Sequence, residues 1–218
     1  MTIYHHLNDE TLMAYAAGSV SESMSFVIAT HLSLCPNCRN KVIEMESLGG
    51  VALEDETQLA MQSGALDTVL GMLDDDFSKE KLTPANDQNK SDIPMPLAQY
   101  IPSELNEIKW KNMAPGIKTF PLTEVKAGSG SVRLLKISPG VTIPEHSHSG
   151  SELTLVLKGS FSDEIGRFKA GDIADLDDDT NHQPIADSSE DCICLVVTEG
   201  PLQFKALVPR LMQYFVGM

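Results

Sequence analysis

The sequence predicts an α+β protein of two domains, a small helical bundle stapled by zinc followed by a compact β domain. Three observations support this fold class. Apolar residues recur at helical spacing in the first 73 residues. A polar stretch follows, and from about Trp110 short β-like runs succeed one another without intervening helices. Both parts contain clusters of the side chains that bind transition metals.

Composition and charge indicate to which classes of protein this sequence can belong. The chain has 218 residues, enough for two small domains, and 42% hydrophobic residues are ordinary for a globular protein. Its first residues lack the features of a signal peptide, and no apolar run reaches the ~20 residues that span a bilayer. We therefore expect a soluble cytoplasmic protein that does not span a membrane. The net charge of −15 disfavours direct binding of nucleic acid and suits a basic partner.

Residues 1–75 are predicted to form the helical domain, and capping signals place its first two helices. Asn8 or Asp9 can cap a first helix, and Gly18 is suited to end it. Ser21 or Ser23 can cap a second helix, which extends to the residue before the first cysteine.

Two further helices are predicted in the same domain. Pro36 suits the first turn of a third helix, which Gly49 and Gly50 weaken or end. An apolar stripe at helical spacing indicates a fourth helix: Leu66, Val69, Leu70 and Leu73. This stripe can pack within the domain or against a partner.

The remainder of the chain is predicted to be a linker and a β domain. Residues 76–97 are polar and rich in proline, and such a segment cannot bury enough apolar surface to offset its ordering entropy. Over residues 98–218, short strands between turn signals predict a sandwich or small barrel. The clearest strands are Ser131–Ser138, Glu152–Lys158, Asp172–Leu176 and Cys192–Thr198. Residues 206–218 suit either a strand or a short helix.

A cluster of Cys and His near the N-terminus predicts a structural zinc site. His31 and Cys35 are four residues apart near the end of the second helix, so both can project from one face. Cys38 follows at the C-x2-C spacing that lets two thiolates bind one ion, and His6 or His5 can supply the fourth ligand. Zn²⁺ accepts two sulfur and two nitrogen ligands in a tetrahedron. The alternatives are buried free cysteines, or a redox pair that would need a neighbouring strand.

The spacing of His6, His31, Cys35 and Cys38 resembles the ligand pattern of the zinc-binding anti-sigma domain. The resemblance covers residues 1 to about 75 and matches the four ligand positions one for one. It implies a protein partner, a sigma factor of the extracytoplasmic-function (ECF) type, which such domains keep from core RNA polymerase. It also implies that the apolar stripe is the helix that these domains lay against the sigma factor.

A second cluster, of His and Glu, lies in the β domain. His146 and His148 are two residues apart, so on a strand both point to the same side. Glu152 follows after a short turn, and His182 lies further along the chain. Three imidazoles and one carboxylate suit Zn, Fe, Mn or Ni. Surface histidines near a turn are the alternative.

The spacing around this second cluster resembles the two cupin motifs. Residues 140–159 match the first motif throughout. The second motif keeps its spacing from glycine to histidine, but Asp177 and Asp179 replace its Pro and Gly, and its Asn is absent. The resemblance covers about residues 110–204. It implies a double-stranded β-barrel whose interior holds a divalent metal through the three histidines and the glutamate.

Cys192 and Cys194 form a second close pair of cysteines. On one strand they face the same side, with Cα atoms roughly 6.5–7 Å apart, near the upper limit for a disulfide. Two roles are open to them, burial as small hydrophobic residues and sensing of oxidation as a redox pair.

The two ligand sets, in this domain order, resemble anti-sigma factors of the ChrR type. The resemblance implies a transcription regulator without catalytic residues. Its helical domain would sequester an ECF sigma factor, and its cupin would be needed for release under singlet oxygen or related oxidants. Two alternatives stay open: a metal-dependent cupin enzyme such as a dioxygenase, with the helical domain as a scaffold, and a cupin that senses a metabolite.

Overall fold

The computed structural model describes residues 2–74, 93–125 and 130–201 and the backbone of residues 203–204. Most of the predicted linker, and the segment 206–218 whose structure was left open, lie outside the described residues. By compactness the chain divides into two units. One combines the residues before 47 with those after 90, and the other begins at residue 47. The predicted domain boundaries at residues 75 and 97 stay predictions.

The described N-terminal part is helical. Its helices are α1 (Asp9–Ala16), α2 (Glu22–Leu34), α3 (Pro36–Glu54) and α4 (Ala65–Asp74). The side chain of Asn8 accepts a hydrogen bond from the backbone N–H of Thr11 at 2.7 Å, and Ser21 accepts one from Met24 at 3.3 Å. Asn8 and Ser21 are therefore the N-caps of α1 and α2. No helix among the described residues is long and apolar enough to cross a membrane.

The glycine that follows α1 and the two glycines inside α3 have different effects on their helices. Gly18 follows α1 with φ of +67°, a left-handed conformation that ends the helix as predicted. Gly49 and Gly50 do not end α3, which continues to Glu54. Of the two predicted effects, ending the helix is not observed, because glycine inside a helix costs only about 1 kcal/mol relative to alanine.

The described C-terminal part is built from antiparallel strands. They are β1 (Lys111–Ala114), β2 (Ile117–Pro121), β3 (Ser131–Ile137), β4 (His146–Ser147), β5 (Glu152–Lys158), β6 (Ser160–Ser162), β7 (Arg167–Lys169), β8 (Ile173–Leu176), β9 (Ile185–Ala186), β10 (Cys192–Thr198) and β11 (Gln203–Phe204). The four strands predicted from sequence are β3, β5, β8 and β10.

The strands form three sheets rather than one closed barrel. A six-stranded sheet has the order β1-β2-β3-β10-β5-β8, a three-stranded sheet the order β7-β6-β9, and β11 pairs with β4. The α+β class and the cupin-like fold are confirmed, but closure of the barrel is not. Strands such as β4 and β9 have two residues each, too few to carry a continuous hydrogen-bonded ladder around the structure.

The six-stranded sheet is buried on both faces, as β10 shows most clearly. Cys192, Cys194 and Val196 lie in one apolar cluster with phenylalanines of the three-stranded sheet. Leu195 and Val197 lie in a second cluster with apolar side chains of α1, α2 and the start of α3. Alternate residues of one strand therefore face the cupin interior and the helices, which is why β10 is apolar throughout.

Candidate metal centres

The structure brings together the four residues predicted for the first site (site 1): His6, His31, Cys35 and Cys38. One ligand atom from each lies within 4.8 Å of the others. Sγ of Cys35 is 3.3 Å from Nδ1 of His6, and Sγ of Cys38 is 3.3 Å from Nε2 of His31 and 3.6 Å from Nδ1 of His6. Tetrahedral zinc with such ligands would hold them about 3.5 Å apart, so the spacing fits this ion.

Local backbone structure positions three of these side chains. His31 lies in the last turn of α2, and its carbonyl accepts a hydrogen bond from Cys35, the residue that ends the helix. Pro36 begins α3, and the backbone N–H of Cys38 points at Sγ of Cys35 from 3.4 Å. The N-terminus of α3 thus presents an N–H group and its positive dipole end to the sulfur of Cys35.

Burial sets the protonation state of site 1. Burial first, and then nearby His6, lower the pKa of His31 to about 4, against smaller opposing effects of the Gly171 carbonyl and Asp172. Burial also raises the pKa of the Cys38 thiol to about 12. Without a cation, His31 is therefore neutral at pH 7 and Cys38 keeps its proton. A bound metal would displace that proton, so its affinity would rise with pH.

The two adjacent histidines at the N-terminus have different surroundings. His6 contributes Nδ1 to the site 1 cluster. His5 instead places its ring against Phe168 of β7, with 4.2 Å between the ring centroids. The structure therefore favours His6 over His5 as the fourth ligand of site 1.

In the second cluster (site 2), three of the four predicted residues converge. Nε2 of His182 lies 3.1 Å from Nε2 of His146 and 3.2 Å from Nε2 of His148, and all three side chains are buried. Glu152 is also buried, but its carboxylate does not belong to this group of converging atoms. Its Oε2 lies 3.2 Å from the other ring nitrogen of His148, Nδ1.

An oxygen acceptor faces Nδ1 of each histidine in site 2. Nδ1 of His146 hydrogen-bonds the Pro144 carbonyl at 2.8 Å and Nδ1 of His182 hydrogen-bonds Asp163 at 3.0 Å, whereas Nδ1 of His148 lies 3.2 Å from Glu152 without the geometry of a hydrogen bond. An acceptor at Nδ1 favours the tautomer protonated there and leaves the lone pair on Nε2. Three lone pairs that converge within about 3 Å repel one another unless a cation lies between them, so the donor set fits a divalent metal.

Asp163 is a further residue of site 2, and the sequence motifs do not indicate it. Its buried carboxylate accepts hydrogen bonds from the backbone of Ile165 and Gly166 and faces Nδ1 of His182. Burial works to raise the pKa of Asp163, but the interaction with His182 and the two backbone bonds outweigh it and hold the pKa below its usual value. Nothing in the local sequence distinguishes this residue from other acidic residues in turns.

The pKa shifts of the buried side chains in site 2 favour the binding of a cation. Burial lowers the pKa of His146 to about 4, so the imidazole is neutral at pH 7. Burial acts to raise the pKa of Glu152, yet His148 and the other two imidazoles lower it more, and the carboxylate stays ionised. Thr154 donates a hydrogen bond to Oε1 of Glu152 at 2.9 Å. A neutral His146 imidazole and an ionised carboxylate are the protonation states that metal binding requires.

Cys192 and Cys194 point into the same cupin interior. Both are buried, and their sulfur atoms are 3.6 Å apart without a disulfide bond. The neighbouring Cys192 thiol and burial raise the pKa of Cys194 well above its ordinary value. Both predicted roles remain compatible with this geometry, because the sulfurs are adjacent and the thiols are shielded from solvent.

Comparisons with known proteins find relatives of both the helical part and the cupin-like part of the chain. A family model described as the ChrR cupin-like domain matches residues 99–203. The chain is 41% identical, over 215 residues, to the anti-sigma-E factor ChrR of Cereibacter sphaeroides, and the match covers 99% of each protein.

A solved structure is similar over nearly the same range. It is the crystal structure of Rhodobacter sphaeroides SigE in complex with the anti-sigma ChrR, one chain of which is 41% identical to this sequence. The superposition has a TM-score of 0.77 and covers 90% of this chain and 99% of that one. The similarity therefore includes the helices as well as the cupin-like strands.

Proposed function

Because the chain belongs to the ChrR family of anti-sigma factors, we propose that it binds an ECF-type sigma factor in the cytoplasm and holds it inactive. Such a protein acts by sequestration. It covers surfaces that the sigma factor needs for RNA polymerase and for DNA, and the sigma factor is released when the complex opens. The protein itself then needs no contact with nucleic acid and no catalytic residue.

The observation that carries this proposal is the apolar surface of residues 47–74. The side chains of ten large apolar residues here are between 49% and 90% exposed: Leu48, Val51, Leu53, Leu59, Met61, Leu66, Val69, Leu70, Met72 and Leu73. The predicted stripe on α4 belongs to this set, and its helical spacing places it on one face. Exposed apolar surface of this kind marks protein interaction sites.

The net negative charge of the N-terminal part of the chain also favours a sigma factor as the partner. Residues 1–90 contain 14 acidic and 5 basic residues, so their net charge is 5 − 14 = −9. A sigma factor presents basic surface to DNA, and opposite charge accelerates the encounter of two proteins. The apolar residues of α4 would then supply the lasting contact, because the core of a protein interface is largely apolar.

We assign a structural Zn²⁺ to site 1 and a divalent metal to site 2. Two sulfur and two nitrogen ligands are a closed zinc set, which would staple the N-terminal segment to the turn between α2 and α3. In site 2 the ligands are His146, His148 and His182, with Glu152 either completing the set or holding His148 in place. This donor set suits Zn, Fe, Mn or Ni.

We propose oxidative stress of the singlet-oxygen type as the signal, received in the cupin-like part. Site 2 and the cysteine pair are its two candidate receivers. The alternative of a cupin dioxygenase gains no support, since the relative that matches 99% of the chain carries the name of an anti-sigma factor.

Co-purification tests the proposed function. The full chain, co-expressed with an ECF-type sigma factor of the same genome, should elute with it as a stable complex that contains zinc. His146→Ala is the matched variant, because it alters site 2 and none of residues 47–74. It should retain the sigma factor and lose the response to oxidant. Elution of wild-type chain and sigma factor as separate species, for every such sigma factor, would overturn the proposal.

A further inference from the structure

We propose that residues 4–8 form a strap held at once by site 1 and by the cupin-like sheet, through which the state of site 2 reaches the zinc ligand His6. The inference rests on the proposed function and concerns its regulation. The strap lies within the unit that combines residues before 47 with those after 90. Its contacts connect residues almost 170 positions apart in the sequence.

Asp172 holds the beginning of the strap. Its side chain is buried, and Oδ1 accepts hydrogen bonds from the backbone N–H groups of Tyr4 at 2.7 Å and His5 at 3.1 Å. Oδ2 accepts a third from Lys169 at 2.9 Å within the turn before β8. Hydrogen bonds to a buried carboxylate are stronger than neutral ones, so this residue fixes the strap to that turn.

Strand β8 holds the rest of the strap. The backbone N–H of Ile173 donates to the carbonyl of His5 at 3.3 Å, and the N–H of Asn8 donates to Asp175 at 3.0 Å. β8 is the last strand in the order of the six-stranded sheet. The strap therefore covers an edge that would otherwise expose unpaired backbone groups.

A ring contact adds side-chain packing to these backbone bonds. The His5 ring lies 4.2 Å from Phe168, which stacks on Phe161 of the cupin interior at 4.8 Å. A Cβ atom on Gly166 would lie 3.2 Å from Cε1 of His5, so the loop before β7 also approaches the ring closely. The strap is thus in contact with the three-stranded sheet, and the loop between β6 and β7 carries Asp163, the partner of His182 in site 2.

The next residue of the strap belongs to the zinc site. His6 places Nδ1 3.3 Å from Sγ of Cys35, and Leu7 is buried in the apolar cluster that the helices share with the sheet. Consecutive residues of one short segment therefore contact different partners. Because a peptide segment of this length is stiff between such contacts, displacement of His5 moves His6 as well.

One strand separates the strap from site 2. β8 pairs with β5, and Glu152 lies opposite Leu176 in that register. Glu152 in turn faces His148. A rearrangement of site 2 that shifts β5 changes the position of β8, and with it Asp172 and the strap.

Hydrogen exchange of the free full chain tests this coupling without the sigma factor. Exchange would be measured by mass spectrometry on the peptide that contains residues 2–8. Glu152→Gln perturbs site 2 and should accelerate exchange of the strap roughly tenfold, since local opening controls exchange. Asp172→Ala should produce fast exchange by itself, and adding Glu152→Gln to it should then change nothing further.

The control variant is Asp191→Ala. Asp191 pairs with Lys136 of β3 at 2.8 Å, and two strands separate β3 from β8 in the six-stranded sheet, so its loss should leave both the strap and its response to Glu152→Gln unchanged. His5→Ala, which removes the ring contact but keeps Asp172, serves as a second strap variant should Asp172→Ala fail to fold.

An unchanged strap in Glu152→Gln, or an equal acceleration with and without Asp172, would overturn the inference. Zinc content, measured on each variant, confirms that site 1 is intact. Capture of the sigma factor by the wild-type chain is scored separately, so a failure of the proposed function is distinguishable from a failure of the strap.

Discussion

Nδ1 of His6 lies 3.3 Å from Sγ of Cys35, although 29 positions separate the two residues in the sequence. This contact joins the N-terminal segment to the turn between α2 and α3. The helices α1, α2 and the start of α3 share one apolar cluster with the sheet, and a metal held at this contact would stabilise their arrangement further.

Loss of a site 1 thiolate should remove zinc and unfold the helices. We expect Cys35→Ser to lower the zinc content by one ion per chain and to reduce helical circular dichroism, because structural zinc contributes about 10 kcal/mol or more to small domains of this kind. Ser33→Ala, two residues away on α2, is the control and should keep both signals. Full zinc content in Cys35→Ser would contradict the assignment of site 1.

Removal of Asp163 should weaken metal binding at site 2 without changing a ligand. In Asp163→Ala, His182 loses the acceptor at Nδ1 that orients its ring, and such losses typically cost about 10- to 100-fold in metal affinity. Competition with a chromophoric chelator would measure this. Glu190→Ala, which removes an exposed acid paired with Lys158, should have an affinity close to wild type. Equal affinities of the two variants would show that Asp163 does not support the site.

Acidification should destabilise the metal-free cupin-like part. The pKa of His146 is about 4 in the folded chain and near 6.5 when unfolded, so the unfolded state binds more protons between these values. Stability therefore falls as pH drops from 6.5 to 4, by about 3 kcal/mol for this residue. The free energy of unfolding at each pH would be measured by urea titration, followed by the fluorescence of Trp110, the chain's single tryptophan.

The control for this pH dependence is His146→Gln. It removes the titrating group, so the stability of the variant should change less between pH 6.5 and pH 4 than that of wild type. A wild-type stability that is constant or higher at pH 4 would contradict the stated environment of His146.

The paired thiols of Cys192 and Cys194 should react slowly while the chain is folded. The thiolate is the reactive form, and the neighbouring thiol and burial both raise the pKa of Cys194. At pH 7.5, iodoacetamide should therefore label neither residue in the native protein and both in urea, as peptide mass spectrometry would report. Rapid labelling of the native protein would show that the cupin interior is open to solvent.

Local patterns in the sequence predicted the features that depend on local geometry. A four-residue interval on a helix and a C-x2-C turn place His31, Cys35 and Cys38 together, and a two-residue interval on a strand does so for His146 and His148. Strands β5 and β10, seven residues each, have the predicted bounds.

Features that depend on distant parts of the chain were not predictable in this way. Asp163 supports His182 from 19 positions away, and Asp172 binds Tyr4 across 168 positions. Neither contact leaves a periodic signal, because each is set by how separate elements pack. Strands of two or three residues, such as β7 and β9, are too short to show alternation and were missed for the same reason.

The central claim is that the exposed apolar face of α4 binds a sigma factor, and the affinity of the full chain for that factor tests it most directly. The double substitution Leu66→Asp and Leu70→Asp places two charges on this face and should weaken binding at least 100-fold, since buried apolar anchors dominate interface energies at about 2 kcal/mol or more each. Ile165→Asp, an equally exposed change in the cupin-like part, should bind as wild type does. Unchanged affinity in the double variant, with its zinc content and helicity intact, would contradict the account.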